Sequence, residues 1–241
     1  MTLSVEEAMA QLGVSDASLT PPERDALDVQ GYVMLRGVFD ALACTALIEA
    51  FERRYVPSHL SSPPRGRDTR HAMLVDEPAA VHACLAPRLL AGAYHLLHRR
   101  FILFDVQGRD PLPGGGAQRL HRDWVEPEPP APMVIVLAFL DRFGPANGAT
   151  RVLPGSHRLP GGADAFKDAG PVVPGQVVVE GEAGDVLVMD GYLAHGGTRN
   201  GTNAPRRNLQ ISYCGHDVYK PQVPPPREAS DAVRYLLGEG V

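Results

Sequence analysis

Cysteine is scarce in this chain, and what there is forms no pattern. Cys44, Cys84 and Cys214 are the only three in 241 residues; they lie far apart, odd in number, with no C-x-x-C pair. That excludes a disulfide framework and a thiolate zinc site, and it points to a reducing cytoplasm. Long apolar runs are missing too. The longest, MVIVLAFL at 133–140, is less than half of the roughly 20 residues a membrane helix needs. The first residues, MTLSVEEAMAQLG, carry Glu6 and Glu7 where a secretory leader needs Lys or Arg before an apolar stretch. No excess of positive charge is present: the net charge is −5 and the pI near 6.0, against a chain whose main partner is nucleic acid. Repeats are absent, and the only biased tract is EPEPPAP at 126–132, which reads as a stiff surface loop.

What is present divides about a third of the way along. Before residue 100 the apolar spacing is mostly helical: DALACTALIEAFERRY (40–55) follows an Asp that can cap, and AAVHACLAPRLLAGAYHLL (79–97) has the same period. Between them GYVMLRGV (31–38) alternates as a strand does. After residue 100 come short apolar runs cut by Gly, Pro and Asn: FILFDVQ, QRLHRDW, MVIVLAFL, ATRVL, GQVVVE, GDVLVMD and RNLQISYC. Such a series predicts a sandwich or jelly roll. We therefore expect one domain over 1–241, its helical part (about 1–100) packed on a β core (about 101–219).

The triplet His121-Arg122-Asp123 admits two chemistries. H-R-D opens a protein-kinase catalytic loop, but that loop needs Asn five residues after its Asp, and Glu128 stands there. No V-A-I-K precedes it, and DRFG (141–144) carries an Arg inside the D-F-G pattern. The other reading is a metal site. On a strand, period two sends His121 and Asp123 to one side and Arg122 to the other. His195, at the end of GDVLVMDGYLAHGG, would complete two histidines and one carboxylate, the facial triad suited to non-haem Fe(II) with open positions on one face. By itself, a His after a buried strand is more often a packing residue than a ligand. Eleven residues on, Arg206 opens a strand-like run; burying its guanidinium without a partner costs several kcal/mol, on the order of 3–5. Its planar fork suits a carboxylate. A surface charge at a strand edge is the plainer alternative.

Together, His121-Arg122-Asp123, the turn NGATRVLPGSH (147–157), GDVLVMDGYLAHGG (184–197) and the spacing to Arg206 resemble the phytanoyl-CoA dioxygenase family of iron(II)- and 2-oxoglutarate-dependent oxygenases. The resemblance runs from about residue 27 to 219. It implies a mainly β fold with flanking helices, the double-stranded β-helix or cupin-like jelly roll. It implies Fe(II) held by His121, Asp123 and His195, with 2-oxoglutarate and O2 as cosubstrates. Arg206 takes the position that grips the distal carboxylate of 2-oxoglutarate, with Arg207 as its competitor. Phe139 and Gln107 correspond to positions that line the cosubstrate pocket; Asp105 shares the face of Gln107, and Trp124 could wall the substrate pocket. Relatives often carry Ser two residues after the distal His; here Gly197 stands there, and Thr198 could supply the contact instead. Because Asp123 is present, oxidation of a C–H bond, by default hydroxylation, is implied rather than halogenation.

The expected substrate is a small metabolite or natural-product intermediate, with succinate and CO2 released. Specificity is expected on 57–77, the Pro-rich loop after Trp124 and 159–175, with Arg65, Arg67 and Arg70 open to an anionic substrate or simply solvated. His157 in the P-G-S-H turn reads as structural. Two other functions fit the motifs: a ligand-binding barrel without turnover, and a cupin-like metalloenzyme that does not use 2-oxoglutarate.

Overall fold

The computed structural model describes residues 3–58, 66–69, 77–124, 132–161, 163–166, 170, 172–218 and 229–238. Along them run α1 (Val5–Gln11), α2 (Pro21–Gln30), β1 (Tyr32–Leu35), α3 (Ala41–Arg54), β2 (Val56–Pro57), β3 (Gly66–Asp68), α4 (Pro78–Cys84) and α5 (Pro87–Leu97). They continue with β4 (Phe101–Pro111), β5 (Met133–Phe139), β6 (Thr150–Val152), β7 (Val177–Val178), β8 (Val186–Asp190), β9 (His195–Gly197), β10 (Asn208–Gly215) and α6 (Asp231–Leu236).

The strands form two antiparallel sheets. The larger has the order β1-β8-β5-β10-β4-β3-β2, the smaller β7-β6-β9. This is the expected jelly roll, and its two faces explain the two kinds of apolar pattern. Val134, Val136 and Ala138 of β5 pack outward against the helices with Leu89, Leu90 and Ala93 of α5. Ile135, Leu137 and Phe139, one residue out of phase, point inward between the sheets with Leu187, Met189, Tyr192 and Val152. A strand buried on both faces reads as a continuous apolar run, which is why MVIVLAFL shows no alternation.

The helices begin where local chemistry dictates. Ser4 and Glu7, and Thr20 and Glu23, form reciprocal capping boxes at α1 and α2, and Asp40 accepts from the Ala43 N–H at the start of α3. The predicted helix 79–97 is two helices: Pro87 cannot donate to the preceding turn, so α4 stops at Cys84 and α5 restarts with Pro87 at its first position. A second correction concerns QRLHRDW. It is not a ladder strand: residues 115–120 have no regular structure, and His121 alone makes an isolated antiparallel bridge, to His195. Among the described residues, no helix is long and apolar enough to cross a membrane.

Candidate metal centre

The two halves of the site meet through the backbone before any side chain is considered. His121 N–H donates to the His195 carbonyl (2.9 Å) and His195 N–H to the His121 carbonyl (3.0 Å), so the pairing sets the two histidines opposite each other. Their rings are 4.6 Å apart between centroids. Each Nδ1 lies 2.9 Å from the carbonyl oxygen two residues earlier, Arg119 for His121 and Leu193 for His195. A carbonyl only accepts, so both Nδ1 atoms carry the hydrogen and both Nε2 lone pairs stay free. Those Nε2 atoms face Asp123, at 3.5 Å from Oδ1 (His121) and 3.7 Å from Oδ2 (His195).

The three candidate ligand atoms all lie within 4.8 Å of one another. Two ligands at right angles on a cation with bonds near 2.1 Å stand about 3 Å apart, so a small inward movement would seat one ion. Burial alone would raise Asp123, but the two imidazoles and Arg109 outweigh it and hold the carboxyl down at about 2. Burial depresses His195 below the usual imidazole range, which keeps it neutral. For His121, Asp123 and the Arg119 carbonyl outweigh burial and raise it.

The triad opens into a cavity of about 80 Å³, whose lining includes Ile135, Leu137, Gln118, Arg109 and Arg206. Arg206 is 7 % exposed, and its Nε has no hydrogen-bond partner among the described residues. Its guanidinium lies 4.7 Å above the Phe143 ring. Asp110, the nearest acid in charge terms, accepts instead from the Arg206 backbone N–H (3.0 Å) and from the Arg67 guanidinium (2.6 Å). Burial without a paired carboxylate pushes the Arg206 guanidinium down to about 10. A buried cation beside a triad of two imidazoles and a carboxylate has the chemistry to receive a small dianion together with a metal ion.

Comparison with known proteins gives that arrangement a family. Residues 27–208 match the family described as Phytanoyl-CoA dioxygenase (PhyH). The chain belongs to the phytanoyl-CoA dioxygenase family. Among curated relatives, the iron/alpha-ketoglutarate-dependent dioxygenase okaE of Penicillium ochrochloron is 31% identical over 127 residues, 49% of this chain and 40% of that protein. The Fe(II)/2-oxoglutarate-dependent dioxygenase nvfF of Aspergillus novofumigatus is 35% identical over 137 residues, 53% of this chain and 44% of that protein. In these matches the chain spans less than half the length of the curated relatives. HygX from Streptomyces hygroscopicus, solved with nickel and 2-oxoglutarate bound, shares the fold with a TM-score of 0.69 at 21% identity, covering 82% of this chain and 87% of that one.

As a member of the phytanoyl-CoA dioxygenase family, the chain places its other predicted site residues unevenly. Arg207 is turned away from the cavity: Asp141 takes its Nε and Nη2 at 2.9 and 2.8 Å, and Glu52 takes Nη1 at 3.1 Å. Phe139 does not line the cavity; it stacks 3.8 Å from Phe143, the ring beneath Arg206. Gln107 is a strut rather than a lining residue. Its amide donates to Asp105 (2.6 Å) and its oxygen accepts from Arg109 (3.0 Å), so Gln107 links the buried Asp105 to Arg109, which lines the cavity. Trp124 packs in the inner core, with its N–H 3.3 Å from the Gly191 carbonyl. The Thr198 hydroxyl donates to the Ala149 carbonyl (2.8 Å), and so does its N–H, which spends the side chain on the sheet edge.

Gly197 has a steric reason. A Cβ there would stand 2.4 Å from the Gly116 carbonyl oxygen, so the serine of relatives has no room. Gln118, which sequence reasoning missed, lies beside it: its Oε1 accepts from the Gly197 N–H at 3.1 Å, and the residue lines the cavity. Arg109 was missed as well, since nothing in FILFDVQGRD shows that the strand continues inward past Gln107. Of the basic residues considered for an anionic substrate, Arg67 is held inside by Asp110 and Glu52 and lies over the Tyr55 ring. Arg65 and Arg70 lie outside the described residues, as does most of 57–77 and the Pro-rich loop after Trp124.

Proposed function

We propose that this protein is an Fe(II)- and 2-oxoglutarate-dependent dioxygenase that oxidises, by default hydroxylates, a C–H bond of a small metabolite or natural-product intermediate. One observation carries the reading: the unpaired buried guanidinium of Arg206 shares a single cavity with His121, Asp123 and His195.

His121, Asp123 and His195 would hold the iron, and their Nδ1 bonds to backbone carbonyls present the lone pairs without a search over tautomers or rings. When bound, iron and 2-oxoglutarate supply the oxidising power drawn from O2, with succinate and CO2 as coproducts. Arg206 would take the distal carboxylate, its fork braced on Phe143. Gln118 would donate its NH2 to the same cosubstrate, in the place of the serine that Gly197 excludes. Ile135 and Leu137 form an apolar wall that keeps water from the reacting carbon.

The small-molecule substrate is supported by the neighbours in fold. HygX has been solved with hygromycin B bound and SnoN with nogalamycin RO, at 20% identity each. Residues 57–77, the loop after Trp124 and 159–175 are proposed as the segments that select the substrate. Three buried free cysteines accord with a reducing compartment, the cytoplasm.

The test is direct. Fe(II) and 2-oxoglutarate added without oxygen should give the weak visible charge-transfer band of the chelated complex, and admission of air should release succinate. A metal-loaded protein with neither band nor succinate would sink the proposal and favour a binding module without turnover.

A further inference from the structure

Arg122, the residue between the two ligands of the H-x-D triplet, has no part in the function just proposed, yet it is 2 % exposed. Among the described residues no carboxylate stands within 4.0 Å of it. Its guanidinium instead donates to three backbone carbonyls of one turn: Ser156 at 2.7 Å, Leu159 at 2.9 Å, and Gly161. Two rings flank it, with Cζ 4.6 Å from the Tyr192 centroid and 5.2 Å from that of Phe166.

The same turn holds the other half of the site. Ser156 Oγ accepts from the Ala194 N–H (2.8 Å), and the Leu153 N–H donates to the Ala194 carbonyl (2.9 Å), directly before His195. Tyr192 lies three residues before His195. The turn is itself anchored from behind, because His157 and Arg158 both donate to the Asp28 carbonyl at the end of α2. Ser156 is thus bonded through its carbonyl to the residue between His121 and Asp123, and through its hydroxyl to the residue before His195.

We propose that Arg122 is a positioning residue of the metal centre. It grips the 156–161 turn on the far side of the backbone and so holds the His121–Asp123 pair at the distance and angle that His195 requires. The reason for arginine is geometric. Three carbonyls in different directions need several donors fixed in one plane, and two rings need a flat cation between them; an ammonium offers a single point of charge and no plane. The segment before Asp123 has no ladder strand; the His121 bridge, the Gln118 N–H bond to the Gly197 carbonyl (2.9 Å) and the Trp124 backbone N–H bond to the Gly191 carbonyl (3.3 Å) hold its backbone, and the Arg122 side chain adds the grip on the turn behind it.

The proposal rests on the metal-centre reading, and one experiment separates the two. Metal-free full-length wild type, Arg122→Lys, Arg122→Gln and, as a control away from the turn, the exposed Arg142→Gln are titrated with Co(II). The visible absorption of the bound ion and the heat of binding are followed, and thermal melting is recorded alongside. Wild type and Arg142→Gln should bind one ion with the same spectrum. Both Arg122 variants should melt cooperatively yet bind about 10- to 100-fold more weakly, with altered band positions, lysine less affected than glutamine. Lower melting temperatures with unchanged affinity and spectrum would mean that Arg122 serves only the fold, and would overturn the proposal. If wild type itself takes no Co(II), the metal-centre reading falls and this inference with it. Should both Arg122 variants fail to fold, Phe166→Leu, which removes one flanking ring at a half-buried position, carries the same test: a weaker, spectrally shifted site supports the proposal and an unchanged one overturns it.

Discussion

Arg206 and Arg207 are neighbours in the chain with opposite surroundings. Arg207 has its charge met by Asp141 and Glu52; Arg206 is buried with an unsatisfied Nε. Replacing Arg206 by Met should therefore leave the ligand-free protein at least as stable, because an uncompensated buried cation is removed. The same change should weaken 2-oxoglutarate binding by about 3 kcal/mol, on the order of 100-fold, while metal binding holds. Calorimetric titration with 2-oxoglutarate and with Co(II) distinguishes these; loss of metal binding would place Arg206 in the wrong role. A second residue-scale expectation concerns Gln118. Gln118→Leu should weaken 2-oxoglutarate binding by about tenfold through the lost amide donor, with a similar effect on KM for 2-oxoglutarate. An unchanged KM would remove Gln118 from the cosubstrate site. Spacing in the family pattern favours Arg206 with Arg207 as its competitor; the acids that other strands bring near separate the two.

At the scale of elements, β9 is three residues long, and its backbone does more than its side chains. It pairs with β6 on one side and receives His121 on the other. Its glycines exist because residues 116–119 run against them: a Cβ at Gly196 would meet the Arg119 carbonyl at 2.7 Å. Restoring the serine of relatives by Gly197→Ser is thus expected to destabilise the protein by about 1–3 kcal/mol and to weaken 2-oxoglutarate binding rather than improve it. Denaturant unfolding and 2-oxoglutarate titration of the variant would check both; a variant as stable as wild type would show that the 116–119 segment yields. Other elements were visible from the chain itself. Asp40 and the capping boxes start helices by local hydrogen bonds, and the doubly buried apolar runs mark β5 and β8. The H-x-D segment escaped because its extended shape comes from backbone bonds to β9, more than seventy residues on, and from the grip of Arg122, neither of which has a local signature.

Across the whole molecule, charge burial makes stability depend on pH in a definite sense. Burial lifts Asp190 to about 6, against the Tyr192 N–H and the charge of Arg122, which pull it down. A carboxyl raised on folding favours the native state only while protonated: its contribution is full below the unfolded value near 3.8 and is lost as pH rises through about 6. Asp190→Asn, which keeps the oxygen that accepts from Tyr192, should stabilise the protein at pH 7.5 by about 1–3 kcal/mol, with the gain vanishing near pH 4. Unfolding curves at the two pH values test this; an equal effect at both would mean that ionisation is not its origin. Cosubstrate binding acts on the same equilibrium. With metal present, 2-oxoglutarate at about 100 times its Kd should add roughly 2.7 kcal/mol, seen as a higher Tm. No rise would speak against a preformed site.

What the sequence determined by itself was the class of fold and the three residues, His121, Asp123 and His195, that the fold brings together. Strand length, apolar burial and capping are local, and the motif residues fall in a recognisable order along the chain. What only the tertiary structure decided was which of those residues face the same space. Arg206 rather than Arg207 lines the cavity, Gln118 and Arg109 rather than Gln107 and Phe139 surround it, and Thr198 turns to the sheet edge. Arg122, which strand periodicity places merely on the far side of its ligands, turned out to be bonded into the turn behind both halves of the centre. The physical reason is common to all of these: a side chain's direction depends on the sheet pairing and on the charges and carbonyls that other segments bring to it, and those segments are distant in sequence.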